Sequence, residues 1–133
     1  MNSNMPPPRK TIAIVDDDAS IRKAFDRHLT AAGYRCVSFA SAEDFLLVAA
    51  SMLPTCVLAD IHLEGISGLQ LALHPQFTAL NLPVVLITAC DDPMIEGPAR
   101  EIADAFLRKP VAPMLLLETI IDTVGPPIVD GDD

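Results

Sequence analysis

A three-layer α/β fold around a five-stranded parallel sheet is what this sequence predicts, and three observations predict it. Short apolar runs bounded by turn signals recur, among them Thr11–Val15, Cys56–Ala59 and Val84–Ile87. Runs of this length and purity suit strands buried on both faces, which normally lie in parallel sheets covered by helices. Segments with helical spacing separate them, so the order is strand, helix, five times over. Finally, the runs stop at polar residues: Asp16-Asp17, Asp60, Thr88 and Lys109. Ligands bind such sheets at the carboxyl ends of the strands.

Taken in order, residues 1–10 read as a disordered lead and 11–124 as one folded domain. The strand 11–15 runs into Asp16-Asp17-Asp18. Asp17 or Asp18 can cap a helix starting near Ala19, since free N–H groups there favour carboxylates. Ile21, Ala24, Phe25, Leu29 and Ala32 share its inner face, and Gly33 stops it. His28 lies at the edge of that face. Arg35–Phe39 alternates as a second strand. Ser41 with Asp44 resembles a capping box, opening a helix to about Ala50 with Phe45, Leu46 and Ala49 inward. Pro54 breaks the chain before the third strand, 56–60.

Leu69–Leu80 reads as a helix with Leu69, Leu73, Phe77 and Leu80 on one side, kinked or shortened by Pro75. Val84–Thr88 is the most strand-like run. A helix near Met94–Ile102 carries Gly97 and Pro98 and is expected to be short or mobile. Ala105–Arg108 is the fifth strand, ending at Lys109-Pro110. The last helix, Pro113 to Val124, is expected to bury Leu117, Ile120, Ile121 and Val124. Residues 125–133 read as a flexible tail, with no partner identified for Ile128 onward.

The chain has 133 residues, enough for one domain with a real core. Its net charge of −9 argues against direct binding of nucleic acid or an anionic membrane, since both need basic patches. No apolar run approaches the roughly 20 residues of a membrane span, and the first ten residues are no signal peptide. Cys36, Cys56 and Cys90 form no zinc or disulfide pattern. A reducing cytoplasmic setting is the simplest, with Cys36 and Cys56 as small core residues.

The polar strand ends, taken together, carry a resemblance. Val15-Asp16-Asp17-Asp18, the stretch from Asp60 to Gly68, Leu86-Ile87-Thr88-Ala89 and Phe106-Leu107-Arg108-Lys109-Pro110 occur in that order. In this the chain resembles a response-regulator receiver domain over residues 11–124. The loop from Asp91 to Met94 looks closest to the branch that includes the nitrogen-fixation regulators. The resemblance implies a flavodoxin-like receiver fold with strand order 2-1-3-4-5. It implies that Asp60 accepts a phosphoryl group from a sensor histidine kinase or phosphotransfer protein, a carboxylate being a competent nucleophile for this. Two unit charges about 5 Å apart repel by roughly 3 kcal/mol at an effective dielectric of 20, which a divalent cation offsets. Mg2+ suits a site of few carboxylates with waters and a phosphate oxygen.

By the same resemblance, Asp17 and Asp60 ligate Mg2+ directly, Asp16 acts partly through water, and His62 gives its backbone carbonyl. Lys109 pairs with Asp60 and then with the phosphoryl group, with a cis Lys109-Pro110 bond aiming it inward. Thr88 hydrogen-bonds the phosphoryl group, and Phe106 turns into the space Thr88 leaves. That alters the surface of the fourth helix, fifth strand and fifth helix toward a downstream protein or a second copy. The chain departs from the family at Leu63-Glu64, usually Met-Pro, at Ile102, usually glycine, and at Val111, often aromatic.

Two other readings compete. Asp16–Ile21 roughly fits the Asp-x-Asp-x-Thr pattern of haloacid-dehalogenase-type phosphatases, with Asp16 as nucleophile and Asp18 as acid. Its match is imperfect at Ser20, and the acid expected after the lysine is missing. The other is a receiver-like binding module that is never phosphorylated, against which the full acid, threonine and lysine set argues.

Overall fold

The computed structural model describes residues 8–89 and 92–129. Cys90, Asp91, most of the predicted lead and the last four residues therefore lie outside the described residues. The elements run β1 (Thr11–Val15), α1 (Ala19–Ala31), β2 (Arg35–Phe39), α2 (Ala42–Met52) and β3 (Cys56–Asp60). They continue with α3 (Gly68–Leu73), α4 (Pro75–Thr78), β4 (Val84–Thr88), α5 (Pro93–Ile102), β5 (Ala105–Arg108) and α6 (Pro113–Val124). The sheet is wholly parallel, in the order β2-β1-β3-β4-β5.

Each central strand sends alternate residues to opposite faces, as the pleat requires. Ile12, Ile14, Leu58, Val85 and Ile87 pack with Phe25 and Leu29 of α1 and Leu116 and Ile120 of α6. Ala13, Val15, Val57, Ala59 and Leu86 pack with Phe45, Leu71, Phe77 and Ala99 from α2 to α5. Both faces are covered, so β3 and β4 are buried along their whole length. Burial also pushes the thiols of Cys56 and Cys36 up to about 12 and about 11, which suits core residues rather than reactive ones.

Three helices differ from their sequence pattern. Pro75 divides the expected third helix outright: His74 ends α3 and its Nδ1 accepts from Gln76 N–H at 3.1 Å to start α4. The division leaves Leu73 at 55 % exposure, while Leu71 and Ala72 are buried. Helix α5 spans ten residues with Pro98 inside it. Without an N–H, Pro98 cannot bond the carbonyl of Met94, and Gly97 and Pro98 carry helix penalties of about 1 and about 3 kcal/mol relative to alanine. In α6 the buried residues are Leu116 and Ile120, with Ile121 at 41 % exposure. Met114 to Leu117 are all apolar, so spacing alone does not select the face.

The described parts of the two ends meet below the sheet. Arg9 and Ile128 form an antiparallel bridge. Lys10 N–H donates to the Pro127 carbonyl at 2.8 Å, and Val129 N–H to that of Pro8 at 3.0 Å. The buried Tyr34 donates its hydroxyl to the Gly125 carbonyl at 2.6 Å. Among the described residues no helix is long and apolar enough to cross a membrane.

Candidate functional site

Strands β1 and β3 are neighbours, and Val15 pairs with Ala59. The next residues along, Asp16 and Asp60, therefore stand side by side at the carboxyl end of the sheet. This is the point where the chain, having gone outward from β1 to β2, returns to the other side with β3. Crevices form at such switch points.

The acidic turn divides its work. Asp18 alone caps α1, accepting from the N–H groups of Ser20 and Ile21. Asp17 is thereby left for the rim. Asp16, 2 % exposed, accepts from Asp18 N–H at 2.9 Å through Oδ1 and from Lys109 Nζ at 2.9 Å through Oδ2. Asp60, 7 % exposed, accepts from His62 N–H at 3.1 Å and from Lys109 Nζ at 3.0 Å. One ammonium thus bridges two buried carboxylates. Oxygens of Asp16, Asp17 and Asp60 lie within 4.8 Å of one another.

Burial raises the pKa of the Asp16 carboxyl, only partly opposed by the Asp18 N–H and the Lys109 ammonium. For Lys109, burial alone would favour loss of the proton. The hydrogen bonds and charges of Asp16 and Asp60 outweigh it, so its pKa lies above the ordinary lysine value. The rim holds three carboxylates against one ammonium and is short of positive charge. An all-oxygen donor set of this kind fits a hard divalent cation.

The remaining predicted residues fall around this pair. Thr88 ends β4, is 2 % exposed, and its carbonyl accepts from Lys109 N–H at 2.8 Å. The Lys109-Pro110 peptide is cis. His62 follows Asp60 with an exposed side chain, and its backbone stays beside the carboxylate through the N–H bond already described.

Three supports were not evident in the sequence. Arg22 of α1 donates from Nη1 to the Asp16 carbonyl at 2.7 Å, fixing the acidic turn from behind. Glu43 of α2 accepts from Ile66 N–H at 3.1 Å and ties down the loop after Asp60. Gly68 opens α3 directly against β3: a Cβ there would lie 2.3 Å from the Asp60 carbonyl oxygen. Gly68 stands out in the sequence as a turn signal, but its need is close approach. Arg22 and Glu43 carry no sequence signal beyond their place on an outer helix.

The geometry disfavours Asp16 as a phosphatase nucleophile with Asp18 as its acid. Asp18, the acid of that reading, is committed to the cap of α1.

Comparison with known proteins agrees with the fold. A family model described as the response regulator receiver domain matches residues 12–121. The phosphate regulon transcriptional regulatory protein PhoB of Pseudomonas aeruginosa is 34 % identical over 125 residues, covering 88 % of this chain and 54 % of PhoB. The DNA-binding transcriptional regulator NtrC of Salmonella typhimurium is 37 % identical over 84 residues, 63 % of this chain and 18 % of NtrC. The chain thus spans about half or less of these relatives' length. A CheY-like receiver domain protein from Methanospirillum hungatei, solved by crystallography, matches with a TM-score of 0.79 at 28 % identity. That match covers 85 % of this chain and 91 % of the other. With the family model spanning most of the chain, the parallel sheet in its order and the acids at its switch point have one reading: this chain is a receiver domain of the response-regulator family.

Proposed function

We propose that this domain, residues 11–124, takes a phosphoryl group onto Asp60 from a phosphohistidine of a sensor kinase or phosphotransfer protein. The observation that carries this is the buried Asp60 carboxylate held by Lys109 beside Asp16 and Asp17. A carboxylate oxygen of Asp60 attacks phosphorus, the phosphorus–nitrogen bond breaks, and the imidazole leaves with its electron pair. Asp60 becomes an acyl phosphate. Lys109 already spans Asp16 and Asp60, so its ammonium can follow the charge from the carboxylate to a phosphoryl oxygen. Thr88, at the end of the neighbouring strand, offers a hydroxyl to another oxygen.

Mg2+ bound by Asp17, Asp60 and the His62 carbonyl, with Asp16 through water, would supply the positive charge that the rim lacks. The added group brings nearly two charges and three acceptor oxygens. Its effect passes through Thr88 and Phe106 to the face of α5, β5 and α6, where a downstream protein or a second copy binds. The setting is cytoplasmic, and the domain works as a signalling switch rather than as an enzyme.

Incubation with acetyl phosphate, with and without Mg2+, tests this by intact-protein mass. One phosphoryl group is expected, dependent on Mg2+ and lost in Asp60→Asn. No uptake by the native chain would favour a binding module instead.

A further inference from the structure

Beyond residue 35 the chain carries three lysine or arginine side chains: Arg100, Arg108 and Lys109. Lys109 serves the rim. The other two meet at one aromatic ring. The Arg100 guanidinium lies 4.4 Å from the Phe106 ring centroid, and that of Arg108 lies 6.0 Å from it. Glu96 joins them, accepting from Arg100 Nε at 2.7 Å and from Arg108 Nη2. The ring is half-buried at the junction of α5 and β5. Helix α5 is weak in itself because of Gly97 and Pro98. The same three charged groups therefore hold both the ring and the helix against β5.

Phe106 also stands where the site can be felt. It pairs in register with Leu86, and Arg108 with Thr88. Side chains two residues apart along a strand share a face, so Thr88 and Phe106 are diagonal neighbours on the face covered by α5. A ring drawn inward behind Thr88 must leave the guanidinium stack.

We propose that Arg100, Glu96 and Arg108 form a latch that keeps Phe106 at the surface and so restrains phosphoryl-group binding at Asp60. The inference rests on Asp60 being the acceptor and adds a restraint particular to this chain. A contact made in only one of two states shifts their balance by its own free energy. A partly exposed cation–π contact sets the effect at about two- to fivefold. Any partner that recruits Arg100 or Glu96 would release the ring and favour uptake.

The test is beryllofluoride binding in saturating Mg2+, followed by 19F resonance in the full chain. Arg100→Met is expected to lower the half-saturating concentration about two- to fivefold, and Glu96→Gln to lower it less. In a Phe106→Leu background, Arg100→Met should have no effect, because the stacked ring is gone. Unchanged or weaker binding in Arg100→Met overturns the latch, as does an equal gain in both backgrounds. If the native chain binds no beryllofluoride at all, the acceptor assignment falls and the latch with it.

Discussion

The carboxylate rim and the α5–β5 face use the same chemistry, carboxylates joined by basic side chains, in opposite settings. At the rim, the side chains of Asp16, Asp60 and Lys109 are 2 %, 8 % and 17 % exposed. Their backbones follow strands that the core holds on both faces. At the α5–β5 face, Glu96 and Arg100 of α5, a helix with Pro98 inside it, are 20 % and 54 % exposed, and Arg108 of β5 is 42 % exposed. Breaking a buried pair leaves an uncompensated charge and costs several kcal/mol. Exposed pairs contribute about 0–1 kcal/mol each. The difference fits the proposed roles, in which the rim aligns the reacting groups and the α5–β5 face changes with what the rim binds.

Substitutions at the rim should break this contrast most severely. Lys109→Met leaves the buried carboxylates facing each other without an ammonium. We expect a loss of about 3 kcal/mol in stability without Mg2+, measured by urea unfolding, with partial recovery on adding Mg2+. A loss no larger than that of a surface substitution would contradict a rigid, charge-balanced rim. Next comes Gly68→Ala, whose Cβ would collide with the Asp60 carbonyl. Backbone is on both sides of this contact, so a cost of about 1–3 kcal/mol is expected, with slower phosphoryl uptake. Unchanged stability and uptake would show that the loop is not packed as described.

Tyr34→Phe lies far from both regions and serves as a reference. It removes the hydroxyl bond to Gly125 and leaves a part-buried carbonyl short of a donor, for about 1 kcal/mol in thermal unfolding. Uptake at Asp60 should be unaffected. The smallest effect is at Glu96, whose pKa is held below the ordinary carboxylate value first by the Arg100 hydrogen bond and then by Arg108. A depressed carboxylate stabilises fully above its unfolded pKa and loses that contribution as pH falls through the folded one. The melting temperatures of the native chain and Glu96→Gln should therefore differ slightly at neutral pH and converge in acid. Divergence in acid would contradict the pairing.

The sheet was legible because a buried parallel strand leaves a plain mark, a short apolar run, and four of the five strands, all but β2, stop at residues that the fold turns into one rim. The acids, Thr88 and Lys109 could be named for the same reason: position at a strand end needs no knowledge of contacts. Features that depend on a partner far along the chain were not legible. Arg22 reaching the Asp16 carbonyl, Glu43 over Ile66 and the two guanidiniums at Phe106 leave no periodic signal. On α6, Leu117, Ile120 and Val124 pack against the core as expected, but Leu116 is buried and Ile121 exposed, because four apolar residues in a row hide the phase of the face. Ile128 had no visible partner because Arg9, which bridges it, lies at the opposite end of the chain.

The most direct test is to locate the phosphoryl group. The native chain, loaded from acetyl phosphate in Mg2+ and reduced with borohydride, should yield a single converted residue at position 60 by peptide mass spectrometry. Conversion at Asp16 would contradict the account, which places the phosphoryl group on Asp60.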